Sequence, residues 1–389
     1  MRKATSALVG LLLAGVAAIP AHAETIREQQ WHLNAMKADE IWKISTGKGV
    51  IVAVIDSGVD RIPELDGQVL PGKDFATSGY SGDERTDYDK HGTTMAAVIA
   101  GSGRHPSGDG SFGLAPGAKI LPIRVPHEGG RGASWTEAIR YAADSDARVI
   151  NISMGSSTED PARREAVEYA LSRGKLIFAA VGNSGNSTNQ VNYPAATPGV
   201  VGVGAVNADG AATDESERGL QVDMSAPGID IVTACAGKTG LCTSHGTSDA
   251  SALASASAAL LWSAHPDWTN NQVLRVLLNT AGKPKGGAKR NDYIGYGVVR
   301  PRVAVPNPGD PGPANEFPLP DLADAEEAAA DVKAPESGKP APAPQAEEEK
   351  GGGDPRWVAL GLGACVVVGG AVGAVVRRRG RGKAKAAQG

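Results

Sequence analysis

Short apolar runs alternate with longer Ala-rich stretches between Glu24 and about Val305. The short runs are continuous rather than alternating, a pattern typical of strands buried on both faces of a sheet. Strands are predicted at residues 50–55, 120–125, 149–153, 176–181 and 200–206, and helices at 91–101, 134–145, 161–173, 248–264 and 270–280. This order predicts an α/β fold with a mainly parallel sheet and helices on both faces.

The first residues have the pattern of an export signal. Arg2 and Lys3 precede an apolar run at 8–19, and Ala21-His22-Ala23 provides small residues at a cleavage site. We expect a signal peptide at 1–23 that is cleaved after Ala23. An uncleaved membrane anchor is the alternative, but the apolar run is short for a hydrocarbon core of about 30 Å.

The C-terminal part changes composition. Residues 306–356 are rich in Pro, Ala and Glu and predict an extended linker, because such a segment buries too little apolar surface to fold. Residues 357–376 are uncharged and long enough for a transmembrane helix, and the basic tail 377–389 predicts a cytoplasmic end. Residues 24–46 form an N-terminal extension expected to pack on the domain at 47–305. The domain is therefore expected on the extracellular side of a single-pass membrane protein.

Charge and cysteines narrow the classes of partner. The net charge is −4 and basic residues outside the tail are scattered, so nucleic acid is not indicated as a partner. Cys365 lies in the predicted span, which leaves Cys235 and Cys242 as an expected disulfide in an oxidising compartment. Two thiols do not complete a metal site, and no Asp/Asn cluster compels calcium. No metal and no cofactor are predicted.

Two polar side chains lie at the ends of predicted elements, which is where sites form in parallel sheets. Asp56 comes directly after an apolar strand, and His91 starts an Ala-rich helix. An imidazole beside a buried carboxylate is held in one tautomer, as a general base for a hydroxyl requires. A turn aspartate and a core or exposed histidine are the structural alternatives. His-Gly-Thr also occurs at His245, but its place three residues before Ser248 limits its approach to that hydroxyl.

Asn183 and Ser248 are the next candidates. Asn183 follows an apolar strand, where its amide can donate to an oxyanion; a turn Asn is the alternative. Ser248 starts a helix of small residues, where free N–H groups and the helix dipole favour negative charge; an N-cap serine is the alternative. Asp56, His91 and Ser248 occur in the chain order known from subtilisin-type proteases.

Several stretches resemble the subtilisin-like serine peptidases: AVIDSGVD, HGTTMAAVIAG, INISMGS, AAVGNSGN, YPAATPGVVGVGAV, DMSAPGIDI and HGTSDASALAS. The resemblance implies a triad of Asp56, His91 and Ser248, with Asn183 in the oxyanion hole. It also implies that Ser153, Met154 and Gly155 form an edge that binds the substrate backbone as an added strand. Residues 130–133, with Gly132, would form the opposite wall of the cleft.

The layout is most similar to the mycosins, membrane-anchored subtilases associated with type VII secretion. Two features differ from the wider family. The extension at 24–46 is too short for a folded propeptide. The nucleophile is followed by Asp249, where relatives usually have an apolar residue, and the sequence continues without the usual proline.

These features predict a membrane-anchored serine endopeptidase that cleaves protein or peptide substrates, with the type VII secretion machinery as an expected partner. The alternative is a structural subunit that stabilises a secretion complex, with weak or dispensable proteolysis. An α/β-hydrolase esterase is disfavoured, because Ser248 has no G-x-S-x-G motif around it and the triad order differs.

Overall fold

The computed structural model describes residues 24–76, 81–126, 133–237 and 240–333. The α-helices are α1 (Ile26–Gln29), α2 (Trp31–Met36), α3 (Ala38–Ile41), α4 (His91–Ala100), α5 (Ala133–Asp144), α6 (Pro161–Ser172), α7 (Thr247–Ala264), α8 (Asn270–Thr280), α9 (Pro301–Ala304) and α10 (Pro320–Lys333). The strands are β1 (Ile51–Asp56), β2 (Lys73–Asp74), β3 (Lys119–Arg124), β4 (Val149–Ile152), β5 (Leu176–Ala180), β6 (Val201–Val206), β7 (Met224–Pro227), β8 (Ile231–Ala234) and β9 (Leu241–Ser244).

A seven-stranded sheet with the order β2-β3-β1-β4-β5-β6-β7 forms the centre of the domain. All of its neighbouring strands are parallel, and β8 and β9 form a separate antiparallel pair. The predicted mainly parallel α/β fold is therefore confirmed. After β1 the chain forms β2 and β3 on one side of β1 and then β4 on its other side, so a crevice opens at the carboxyl ends of these strands.

Successive residues of each strand face two different cores. Val52 and Val54 of β1 belong to the core beneath α4, α7 and α8, whereas Ala53 and Ile55 belong to the core beneath α5 and α6. Both faces are buried because helices cover both, which explains why the strands appeared as continuous apolar runs. In α7, alanines and serines at buried positions let the helix backbone approach the sheet closely.

The N-terminal extension packs on the domain through helices α2 and α3. Leu33, Met36 and Ile41 are buried in the same core as α4 and α7. The buried Gln30 amide donates to the carbonyls of Phe112 and Val232, at 2.7 and 3.0 Å. Apolar burial and these hydrogen bonds therefore tie residues 24–46 to the domain.

The first part of the predicted linker differs from the expected extended chain. Leu319 is only 2% exposed and belongs to the main core, and helix α10 follows it. Arg275 donates to the carbonyls of Pro311 and Pro313, and the Asp321 carboxylate accepts the N–H of Gly199 at 2.8 Å. The average composition of the segment did not predict this docking, because a few apolar contacts and side-chain to backbone hydrogen bonds are enough to hold it on the domain.

The predicted membrane segments lie outside the part of the chain that the structure describes. The signal peptide at 1–23, the span at 357–376 and the basic tail at 377–389 belong to this remainder, as does the linker beyond 333. Within the described residues, no helix combines the length and the apolar character that a membrane crossing requires.

The docking of residues 306–319 gives a stability prediction. In the full chain, Leu319→Ala should lower the free energy of unfolding by about 2–5 kcal/mol, because it removes a buried side chain and leaves a cavity. The matched control is Leu220→Ala, since Leu220 is 83% exposed and its replacement should change stability by less than about 0.5 kcal/mol. Denaturant unfolding measures both variants. Equal stability of the two would show that residue 319 lies in a linker.

Candidate active site

Asp56 is the last residue of β1 and lies at the carboxyl edge of the sheet. It is 1% exposed. Its Oδ1 accepts hydrogen bonds from the backbone N–H of Ser57 and from Nδ1 of His91, each at 2.8 Å. A buried carboxylate needs such donors to remain charged. The sheet edge therefore places a negative charge directly against the imidazole.

His91 begins α4 and faces the crevice. The next residue, Gly92, allows the helix to start this close to β1, because a side chain at position 92 would collide with the carbonyl of Gly58 and contact Asp56. Asp87 organises the start of the helix by accepting the N–H groups of Lys90 and Thr93, at 2.9 and 2.7 Å. The bond from Nδ1 to Asp56 fixes the tautomer of a neutral His91, which leaves Nε2 as the acceptor.

Ser248 lies in the first turn of α7 and is bonded reciprocally to Ser153. The Ser248 hydroxyl donates to the Ser153 carbonyl at 3.0 Å, and the Ser153 hydroxyl donates to the Ser248 carbonyl at 3.2 Å. No hydrogen bond joins Ser248 to His91, both of which the structure describes. The hydroxyl must leave the Ser153 carbonyl before His91 can take its proton. Such bonds often form only when substrate is present.

Asn183 is held with its amide in one orientation. Its Oδ1 accepts hydrogen bonds from both the backbone N–H and the hydroxyl of Thr247, each at 2.9 Å. The Thr247 hydroxyl in turn accepts the N–H of Gly182 at 3.1 Å. Because Oδ1 is occupied, Nδ2 is the end of the amide that can donate to an oxyanion.

A cavity of about 300 Å³ brings most of the predicted site residues together. Its lining is His91, Ser153, Met154, Gly155, Ala180, Gly182, Asn183, Asn192, Thr247 and Ser248. Asp56 lies behind His91, so a carboxylate, an imidazole, a hydroxyl and an amide donor share one site. Gly132 and the neighbouring residues 130–131, predicted for the opposite wall, lie outside the described residues.

A buried polar network beneath the cavity was not predicted. Asn151 in the middle of β4 donates to the Ser153 hydroxyl at 2.9 Å and accepts the hydroxyls of Ser251 and Ser255 at 2.9 and 3.1 Å. These contacts join α7 to β4 directly below Ser248. An Asn that interrupts the apolar run VINI was the sequence signal for this network.

The two His-Gly-Thr motifs occupy different places. His91 contacts Asp56, whereas the exposed His245 pairs through Nδ1 with the Glu215 carboxylate at 2.9 Å. His245 does not line the cavity that contains Ser248. The geometry therefore assigns the imidazole of the site to His91.

Comparison with known proteins places this arrangement in a family. The family profile described as Subtilase family (Peptidase_S8) matches residues 47–297. The chain belongs to the subtilase family. A thermophilic serine proteinase from Bacillus sp. (strain AK1) is 36% identical over 271 residues, which cover 69% of this chain. The chain spans 64% of the length of that relative.

Solved structures of subtilases from secretion systems have a similar fold. MycP1 from Mycobacterium smegmatis aligns with a TM-score of 0.64 and 27% identity, over 77% of this chain and 89% of that one. The MycP3 protease from the type VII (ESX-3) secretion system aligns with a TM-score of 0.61 and 32% identity, over 74% of this chain and 90% of that one. The predicted resemblance to mycosins is thereby confirmed.

Asp249 follows the predicted nucleophile of this subtilase, at the position where an apolar residue was expected. It is fully buried, and its Oδ2 accepts the Ser244 hydroxyl at 2.8 Å. Its Oδ1 has no hydrogen-bond partner among the described residues. Burial raises the pKa of Asp249 to about 6, against the opposing effects of the Ser244 hydrogen bond and of His91. Above that pH it adds a second buried negative charge near the imidazole.

The pKa of His91 reflects these surrounding charges. Burial lowers it, but the charge and hydrogen bond of Asp56 outweigh burial, and Asp89 and Asp249 add to them, so that the pKa rises to about 9. His91 therefore holds its proton at neutral pH and releases it as the pH approaches that value.

The predicted disulfide is not formed in this structure. Cys235 and Cys242 are both free. Cys235 directly follows β8, and its N–H donates to the carbonyl of Gly240 at 3.1 Å, whereas Cys242 lies within β9 opposite Thr233. Burial and the neighbouring Cys235 thiol raise the pKa of Cys242 to about 12, so the thiol is protonated and a poor nucleophile. Among the described residues, no cluster of three or more side chains could hold a metal ion.

The charge of Asp249 gives a titration prediction for this subtilase. Asp249→Asn should lower the pKa of His91, because a nearby negative charge stabilises the imidazolium. NMR of the full chain with labelled histidines measures this pKa without relying on catalysis. The matched control is Asp209→Asn, which changes an exposed carboxylate outside the cavity. An unchanged His91 pKa in Asp249→Asn would show that the two groups are not coupled.

Proposed function

We propose that this chain is a serine endopeptidase that hydrolyses peptide bonds through an acyl-enzyme. The observation that carries the proposal is the 2.8 Å contact between Asp56 and His91, where His91 lines a cavity together with Ser248 and Asn183. These residues supply the orienting acid, the general base, the nucleophile and the oxyanion donor of one reaction. Membership of the subtilase family supports the same assignment.

The reaction follows from the positions of these groups. A substrate strand adds to the edge formed by Ser153, Met154 and Gly155, with its scissile carbonyl over Ser248. Neutral His91 takes the hydroxyl proton while Oγ attacks the carbonyl carbon. The oxyanion is stabilised by Asn183 Nδ2 and by the positive N-terminal end of α7.

The intermediate then collapses. His91 passes its proton to the departing amine, and Ser248 is left acylated. A water molecule, deprotonated by His91, attacks the acyl carbon. His91 then returns the proton to Ser248 Oγ as its bond to the acyl carbon breaks and the second product leaves. Asp56 remains charged throughout and stabilises the imidazolium that forms in each step. Because the pKa of His91 is about 9, the neutral base becomes more abundant as pH rises above neutrality.

A structural subunit with weak proteolysis is the second candidate. One contact favours it: the Ser248 hydroxyl donates to Ser153 and not to His91. Such a subunit would stabilise a secretion complex through its surface, and the triad would be dispensable.

Labelling with a fluorophosphonate separates these two functions. The full chain should be labelled at Ser248, and Ser248→Ala should abolish labelling, because the reagent reacts with an activated serine. Asn183→Ala should lower kcat for peptide cleavage by about 10²–10³-fold through loss of one oxyanion donor. The control His245→Ala should retain labelling and cleavage. Labelling that persists in Ser248→Ala, or its absence in the unchanged chain, would contradict the enzyme assignment.

We further propose that the enzyme is exported, anchored in the cell membrane and linked to type VII secretion. Residues 1–23, the apolar run 357–376 and the basic tail 377–389 support export and anchoring with the domain outside. The structural similarity to MycP1 and MycP3 supports the link to secretion.

The anchor has a direct test. The full chain should remain in the membrane pellet after alkaline extraction, whereas a chain that ends at residue 356 should be released to the medium, because the apolar run is then missing. External protease should digest the domain in intact cells but leave a tag placed after residue 389 protected. Release of the full chain by alkaline buffer, or digestion of that tag, would contradict the proposed topology.

A further inference from the structure

We propose that Asn192 selects the substrate side chain on the acyl side of the scissile bond, favouring side chains that end in a hydrogen-bond donor and excluding carboxylates. The proposal rests on the proposed peptidase function. The favoured class includes Gln and Lys, and the excluded class includes Glu and Asp. Asn192 contacts the substrate side chain, and Glu217 fixes the orientation of the Asn192 amide.

Asn192 lies between the two glycines that bound the cavity near Ser248. A Cβ on Gly155 would come 3.3 Å from the Cβ of Asn192, and a Cβ on Gly182 would collide with its Nδ2. Both glycines leave the space beside the nucleophile open, and Asn192 lines the same cavity. A carbonyl held between Ser248 and Asn183 therefore directs its own side chain along the glycines towards Asn192.

The orientation of the Asn192 amide is fixed from behind. Its Nδ2 donates to both carboxylate oxygens of Glu217, at 2.9 Å each, and lies 3.4 Å from the carbonyl of Val181. An ionised carboxylate only accepts hydrogen bonds, so Nδ2 must face it. Oδ1 consequently faces the other way, and no described residue donates to it. The cavity thus presents an acceptor to the substrate.

Glu217 is itself held rigidly. It is 1% exposed, and its Oε1 also accepts the N–H and the hydroxyl of Ser184. Its backbone N–H donates to the carbonyl of Gly182 at 3.0 Å. A buried negative charge therefore stands behind the amide and cannot turn away from it.

These two features determine which side chain is accepted. A substrate donor bonds to Asn192 Oδ1, and a cationic donor is also attracted by the charge of Glu217. A substrate carboxylate meets an acceptor and a negative charge. The cavity lining includes no Lys or Arg to pair with it, and the imidazole of His91 is already paired with Asp56. The desolvation of that carboxylate is then uncompensated, which makes rejection strong.

Three matched peptides test this selectivity in the full chain. They are identical except for Gln, Met or Glu before the cleaved bond, because these side chains are close in size and differ in polarity. We expect kcat/KM for Gln to exceed that for Glu by about 100-fold or more, and that for Met by about 10-fold. Cleavage of all three at equal rates would overturn the proposal.

Two variants and a control identify the residues responsible. In Glu217→Gln, the new side-chain amide can donate to the Asn192 oxygen, so the Asn192 amide is free to turn its NH₂ into the cavity. The preference for the Gln peptide over the Glu peptide should then fall at least about 10-fold. Asn192→Ala should remove the preference for Gln over Met. Val191→Ala, at an exposed neighbouring position, should retain both ratios. Unchanged ratios in Glu217→Gln and Asn192→Ala would assign specificity elsewhere and overturn the proposal.

Fluorophosphonate labelling of each protein separates failure of specificity from failure of function. Labelled enzyme that cleaves the peptides without discrimination contradicts only the role of Asn192. Absence of both Ser248-dependent labelling and cleavage in the unchanged chain contradicts the peptidase function and, with it, the specificity.

Discussion

The close contact between helix α7 and strand β4 is the constraint on which the rest of the site depends. Asn151 accepts two serine hydroxyls of α7 and donates to Ser153, which is bonded to Ser248 in both directions. Small residues along α7 permit this approach, and the buried amide requires it, since an unsatisfied polar group costs about 1–3 kcal/mol. The contact sets the nucleophile at the carboxyl edge of the sheet, beside the strand that would bind substrate.

The electrostatics of the site follow from the same arrangement. Asp56 approaches the imidazole from the end of β1, and Asp249 lies next to Ser248 in the buried first turn of α7. Both charges favour the imidazolium. They therefore stabilise the protonated His91 that forms during attack, but they also lower the fraction of neutral His91 at neutral pH. Asp249 thus shifts the working range of the base towards alkaline pH, a consequence of replacing an apolar neighbour by a carboxylate.

The sequence predicted the parts of the molecule that depend on local pattern. The five expected central strands and five main helices lie within a residue of their observed bounds, because apolar runs and helical spacing determine them directly. Strands β2, β7, β8 and β9, which have two to four residues each, were not predicted. The docking of Leu319 was missed because it depends on distant contacts. Similarly, Asn183 was found from its motif, whereas the roles of Asn151 and Asn192 depend on partners 25 to 104 positions away in the sequence. Such pairings arise only when the fold brings distant residues together.

The structure of the full chain after reaction with a fluorophosphonate tests the central claim most directly, since the phosphorus mimics the tetrahedral carbon of the intermediate. The account predicts phosphorus bonded to Ser248 Oγ, with one phosphonyl oxygen at about 2.7–3.1 Å from Asn183 Nδ2 and His91 still bonded to Asp56. The Ser153 carbonyl will have lost its bond from the Ser248 hydroxyl. A phosphonyl oxygen directed away from Asn183, or an adduct on another serine, would contradict the account.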